Sequence, residues 1–178
     1  MRGRRQERRE GRHGRAATRF QVRQRALSVG DDFYIEDEHG DHAYRVDGKA
    51  LRLRKTMILE DTDGNELLKI QKRLLHVKDA MEIEGPNGDR VAMVKQALIT
   101  PLRDRWVVKV EDNRDLHVHG NVVDHEYKVE RNDTLVAEIS RRWFRLRDTY
   151  GVEIEAGEDV ALLLAVTIVI DAMAHPDR

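Results

Sequence analysis

The chain has 178 residues, 40% hydrophobic and 37% charged, with a formal net charge of −1. That length suits one domain, or one domain and a tail, with a core inside a heavily charged surface. It contains no cysteine, which excludes disulfides, thiolate metal sites and cysteine nucleophiles and fits a reducing compartment.

The near-zero charge conceals an asymmetry. Residues 1–19 carry eight Arg against Glu7 and Glu10, a net of +6, whereas the remaining 24 Lys and Arg face 31 Asp and Glu, a net of −7. The arm has almost no apolar residues before Phe20, so it cannot bury enough surface to offset its ordering entropy. Residues 1–18 are therefore expected to be a disordered Arg-rich arm, with the folded domain over 19–175. Such an arm reads either as a solvated tail or as a contact for nucleic acid or anionic lipid. No apolar stretch follows the basic start, so no signal peptide is expected.

From residue 33 the pattern has period two. FYIEDEHGDHAYRV (33–46), MILEDTDGNELLKI (57–70) and MEIEGPNGDRVAMV (81–94) share one form, with Gly40, Gly64 and Gly88 spaced 24 apart. Six residues past each glycine stand Val46, Ile70 and Val94; five before it stand Ile35, Leu59 and Ile83. YKVERNDTLVAEI (127–139) repeats the form with Asp133 in the glycine's place. Alternating apolar residues mark half-buried strands, and Asp, Asn and Gly supply hairpin turns. One buried face and one wet face mean an antiparallel sheet. Further strands are expected near 105–110 and 149–155, giving roughly ten to twelve in all, and a sheet of that size tends to curl or close.

Between these hairpins lie candidate binding residues. Lys49, Arg52, Arg54 and Lys55 form one basic cluster, and Lys69, Lys72 and Arg73 another. Either is a charged outer face that keeps a β-protein soluble or an anion site on its wall. HVH (117–119) places His117 and His119 on one strand face, near Asp115, Asp124 and His125. That set reads as surface histidines on an edge strand, and no metal is expected. RRWFRLR (141–147) mixes Arg141, Arg142, Arg145 and Arg147 with Trp143 and Phe144. It is either a basic-aromatic binding stretch or a strand whose alternation turns Trp143 into the core. The carboxylates Glu36, Asp37, Glu38, Glu60, Asp61 and Asp63 recur at the turns, where turn chemistry explains them. No nucleophile elbow, dinucleotide fingerprint, phosphate loop or metalloprotease helix is present, so neither an enzyme nor a cofactor is expected.

The final segment, EDVALLLAVTIVIDAM (158–173), is apolar from Val160 to Ile170 except for Thr167. As a helix, eleven residues span about 16 Å, against roughly 30 Å of bilayer hydrocarbon, so a spanning helix is not expected. Glu158 and Asp159 suit the positive end of a helix dipole. A helix apolar on all sides requires burial on all sides, and a curled sheet of ten or more strands provides it. Leu163, Leu164 and Ile168, which cannot share one helix face, are all expected to be buried.

With those elements in place, the chain resembles the LURP-one-related family of tubby C-terminal-like proteins. The resemblance is carried in order by FYIEDEHG (33–40), YRVDGKAL (44–51), ILEDTDGNEL (58–67), NVVDHEYKVER (121–131), VAEISRRWF (136–144), DTYGVEI (148–154) and the helix ending IVIDAM (168–173). It implies a closed antiparallel β-barrel of about twelve strands around a buried C-terminal helix at about 158–173. It also implies binding more than catalysis: similar tubby proteins hold phosphoinositides through basic residues on the barrel, and phospholipid scramblases are similar in architecture. The expectation is a non-enzymatic, cytoplasmic or peripheral membrane protein recognising anionic headgroups, another anionic ligand or a protein partner. The barrel-surface candidates are Arg52, Arg54, Lys55, Lys72, Arg73, Arg141 and Arg142. The alternatives are nucleic-acid binding through the arm, and a scramblase-like or enzymatic activity.

Overall fold

The computed structural model describes residues 17–23, 32–47, 56–72, 80–100, 103–112, 114–121, 123–143 and 149–174. Most of the Arg-rich arm lies outside them. Twelve strands appear in chain order: β1 (Thr18–Arg23), β2 (Phe33–Asp37), β3 (His42–Asp47), β4 (Thr56–Glu60), β5 (Glu66–Lys72) and β6 (Ala80–Glu84). They continue with β7 (Arg90–Thr100), β8 (Arg103–Val110), β9 (Leu116–Asn121), β10 (Glu126–Arg131), β11 (Thr134–Ser140) and β12 (Thr149–Ile154). Helix α1 (Val160–Ala174) follows. Each strand pairs antiparallel with its sequence neighbours, and β1 closes on β12, so the sheet is a closed barrel with no free edge.

The repeated hairpins explain the first half of the wall. In each, a tight turn puts a glycine into the left-handed region, at φ +87° for Gly40, +83° for Gly64 and +84° for Gly88. In the fourth, Asn132 and Asp133 take that conformation themselves, at φ 48° and 60°, as short polar side chains tolerate. The Asp37 carboxylate accepts the N–H groups of His39 and Asp41 at 2.8 and 3.0 Å. Asp61 does the same for Asp63 and Asn65 at 2.9 and 2.8 Å. These carboxylates serve the turns, as the sequence pattern predicts. The register shifts at one matching step in all four hairpins: Ile35/Glu36, Leu59/Glu60, Ile83/Glu84 and Val129/Glu130. The expected core residues Ile35, Val46, Leu59, Ile70, Ile83 and Val94 are all fully buried.

The helix fills the barrel. Asp159 caps it: its carboxylate accepts the Leu162 N–H at 3.0 Å and its carbonyl the Leu163 N–H at 3.1 Å. Every residue from Leu162 to Asp171 is buried, Leu163, Leu164 and Ile168 among them. The helix begins at Val160, two residues later than expected, because Glu158 and Asp159 belong to the turn and cap. No helix among the described residues is long and apolar enough to cross a membrane.

Two expectations are corrected. Residues 141–143 do not continue a strand but form a single 3-10 turn. Ser140 supplies the reason: its hydroxyl accepts the Arg142 N–H at 3.2 Å while donating to Glu126 at 3.0 Å, and Glu126 also accepts the Arg141 N–H at 3.1 Å. The captured N–H groups leave the ladder, so Trp143 is half-buried instead of entering the core. Residues 144–148 lie outside the described residues. Second, the His117 strand is no edge, since β9 pairs with both β8 and β10.

Candidate functional site

Antiparallel order gives the barrel two distinct rims. One carries the short hairpin turns and the start of α1; the other carries the end of α1 and the ends of β1, β3, β5, β7, β9 and β11. Arg141 and Arg142 follow β11 at the helix-end rim and are exposed. Lys72 closes β5 at the same rim, but β5 stands six strands from β11, across the barrel. The two basic stretches are therefore not brought together. Arg52, Arg54, Lys55 and Arg73 lie outside the described residues.

What gathers around Arg141 and Arg142 comes from elsewhere in the chain. The Arg19 guanidinium lies 5.5 Å from the Trp143 ring centroid and pairs with Glu153 at 2.5 Å. Glu126 lies 3.7 Å from Arg142. Two residues along β10 from Glu126, on the same outer face, is Lys128. Register places Lys128 opposite His119 on β9, and His119 opposite Arg105 on β8. Directly opposed side chains have Cβ atoms about 4.5–5.5 Å apart, so Arg105, His119 and Lys128 form a row across three strands. Among the described residues neither Arg105 nor Lys128 makes an ion pair, whereas Lys109, four residues along β8 from Arg105, is held by Asp115. His119 contacts Glu130 at 3.1 Å, and Glu138 stands opposite Lys128. The row is thus a short basic strip bounded by carboxylates.

The histidines separate. His117 and His119 share the outer face of β9, but His125 turns inward at φ +53° and is 1% exposed. Among the described residues no three His, Cys, Asp or Glu side chains are arranged to hold a metal. His125 Nε2 lies 2.5 Å from Asp171 Oδ1 in the last turns of α1, and its ring stacks on Tyr150 at 4.4 Å. Asp171 is 4% exposed. Burial, and then the nearby Asp171 charge, push the Tyr127 and Tyr150 hydroxyls far above the ordinary tyrosine range. Gly120 makes room for the inward turn: it pairs with Tyr127 at φ +139°, and any Cβ there would overlap the β10 backbone. The sequence offered one signal for this cluster, an acidic residue closing an otherwise apolar run.

A groove of about 410 Å³ opens at the hairpin rim, lined by Tyr34, His42, Tyr44, Arg45 and the 61–64 turn. Two of its charged groups are committed to the fold. Arg45 donates to Asp32 at 2.6 Å and to Glu60 at 3.1 Å, and Asp61 holds its own turn. The groove also presents the Tyr34–His42 stack, with ring centroids 4.0 Å apart.

Comparison with known proteins agrees with this architecture. A solved structure of a protein from Arabidopsis thaliana superposes with a TM-score of 0.66 over 87% of this chain and 90% of that one, at 18% identity. At that identity the likeness concerns the fold. No curated protein sequence matches significantly. The sequence profile of the LURP-one-related family matches residues 18–171, which is the whole barrel with its helix, and the chain belongs to that family.

Proposed function

We propose that the protein is a non-enzymatic binding module that docks on anionic phospholipid headgroups through the outer wall near the helix-end rim. The observation that carries this reading is the Arg105–His119–Lys128 row, in which two exposed cations flank a histidine in direct register. An anion seated over the row meets the exposed Arg105 and Lys128 cations, which the register holds two strands apart. Arg141 and Arg142 extend the cationic surface, and the half-buried Trp143 beside Arg19 gives it an amphipathic ring of the kind that sits well at a lipid–water boundary. The carboxylates of Glu130 and Glu138 limit the strip. That favours a headgroup-sized anion over a long polyanion, which needs a continuous basic track.

The reading places the protein in the cytoplasm as a peripheral membrane protein. Co-sedimentation with phosphatidylcholine vesicles, with and without phosphatidylserine, tests it. Binding is expected only with phosphatidylserine and should weaken as salt is added, since exposed charges are screened. Equal or negligible binding to both vesicles at low salt would overturn the reading.

A further inference from the structure

Among the described residues, only Tyr34 and Val123 are large hydrophobic side chains left exposed, at 44% and 56%. A lone exposed valine is ordinary on a protein surface, but Val123 has a particular place. It stands in the turn between β9 and β10, at the helix-end rim. Glu126, the first residue of β10, pairs with Asn121 on β9 and with Ser140 on β11. This turn and the Arg141–Trp143 turn therefore flank the same strand end. One contributes Val123; the other contributes the exposed Arg141 and Arg142 and the half-buried Trp143.

The β9–β10 turn is fixed from both sides. The Asn121 side-chain amide donates to the Asp124 carboxylate at 2.7 Å, and its oxygen accepts the Asp124 N–H at 3.0 Å. The next residue, His125, points inward and holds Asp171 of the helix. Val123 is thus presented in place, with little ordering left to do on binding. The carboxylates beside it are engaged, Asp124 with Asn121 and Glu126 with Ser140 and the Arg141 N–H.

The spacing suits a bilayer. His119 lies two residues before Asn121, and Lys128 two after Glu126, so the cationic row sits about 7 Å back from the rim. The headgroup layer on each side of the hydrocarbon is about 5–8 Å thick. A barrel standing on this rim sets the row among headgroups when Val123 reaches the hydrocarbon boundary. A stable protein partner needs roughly 800 Å² of this chain's surface, far more than one valine and one half-covered ring supply in apolar area. A bilayer needs only the side chains that enter it.

Given the headgroup-binding reading, on which this rests, we infer that the β9–β10 turn is a membrane-entering tip. Val123 and the Trp143 ring sit where headgroups meet acyl chains, and the hairpin rim faces away from the membrane.

The chain has no cysteine, so one can be introduced for labelling. Val123→Cys and, on the opposite rim, Asp63→Cys each carry an environment-sensitive nitrobenzoxadiazole dye on the full chain. The vesicles are phosphatidylserine with phosphatidylcholine and include lipids bearing a nitroxide high on the acyl chain. The dye at position 123 should shift to the blue and be quenched, and the dye at position 63 should do neither. Unlabelled Val123→Ser should sediment with the vesicles about tenfold more weakly, the loss of one partly buried apolar side chain. If the labelled protein sediments but the dye at position 123 is unmoved, or both dyes respond alike, headgroup binding stands and the tip is overturned. If nothing sediments, both fall. A blue shift at position 123 that appears without vesicles as protein concentration rises marks a contact between copies and also overturns the tip.

Discussion

Replacing Gly120 by alanine should be among the most damaging single-methyl additions to this chain. A Cβ built at Gly120 lies 2.5 Å from the Glu126 carbonyl oxygen, 2.6 Å from Tyr127 Cα and 2.9 Å from Tyr127 Cβ. Carbon contacts settle at about 3.5–4.0 Å, so β9 and β10 must part by about 1 Å where they pair. Overpacking of this kind costs about 1–3 kcal/mol. Holding alanine at φ +139°, where side chains are strained, adds about 1–3 kcal/mol. The sum, about 2–6 kcal/mol, is a large part of the 5–15 kcal/mol of a typical domain. With a urea m-value of about 1–3 kcal/mol/M, the midpoint falls by about 2 M. Fluorescence of the buried Trp106 can follow the transition. Gly64→Ala is the internal control: Gly64 is also left-handed, at φ +83°, but a Cβ there meets nothing within 4 Å. It should lose only about 1–2 kcal/mol, the left-handed penalty alone. If Gly120→Ala is no worse than Gly64→Ala, the close approach that lets His125 turn inward is not as described.

Further consequences concern the helix and the turns. Leu163→Ala should cost about 2–5 kcal/mol, and Leu163→Asp should abolish the cooperative melt in circular dichroism, since the helix has no exposed face; a folded Leu163→Asp protein would contradict an encased helix. At Asp61, hydrogen bonds from the Asn65 side chain and then from backbone N–H groups hold the carboxyl below its ordinary 3.8, and backbone N–H groups do the same at Asp37. A lowered folded-state pKa contributes stability that is present above the unfolded value and lost as pH falls through the folded one. Asp61→Ala should therefore lower the melting temperature near neutral pH and make little difference once the pH is well below 3.8. An equal deficit at both pH values would refute the role assigned to the charged carboxylate.

The parts of the fold that depend on local periodicity were legible in the sequence. Gly40, Gly64 and Gly88 mark the turns by needing left-handed backbone, and the apolar residues five before and six after each one point inward together. The helix was legible because its apolar run is too short to span a bilayer and too uniform for one buried face. The candidate site was far less so. Arg105, His119 and Lys128 become neighbours only through the register of three strands, which no spacing in the chain reveals. His125 and Asp171 are 46 residues apart, and their meeting depends on Gly120 letting two backbones approach. The strand reading of Arg141–Trp143 failed because it assumed that the β11 ladder runs on with Arg142 outward and Trp143 inward. Ser140, preceding them, is the residue type that captures N–H groups and ends a ladder.

The binding claim is tested most directly by comparing two charge-removing variants on phosphatidylserine-containing vesicles. The account predicts that Arg105→Ser, Lys128→Ser and Arg142→Ser together abolish sedimentation with the vesicles while leaving the melting temperature nearly unchanged, because all three side chains are exposed. It predicts that Lys72→Ser, made where β5 ends across the barrel, leaves binding intact even when Arg73→Ser is added. Undiminished binding by the triple variant, or loss of binding by the Lys72 and Arg73 variant alone, would contradict it.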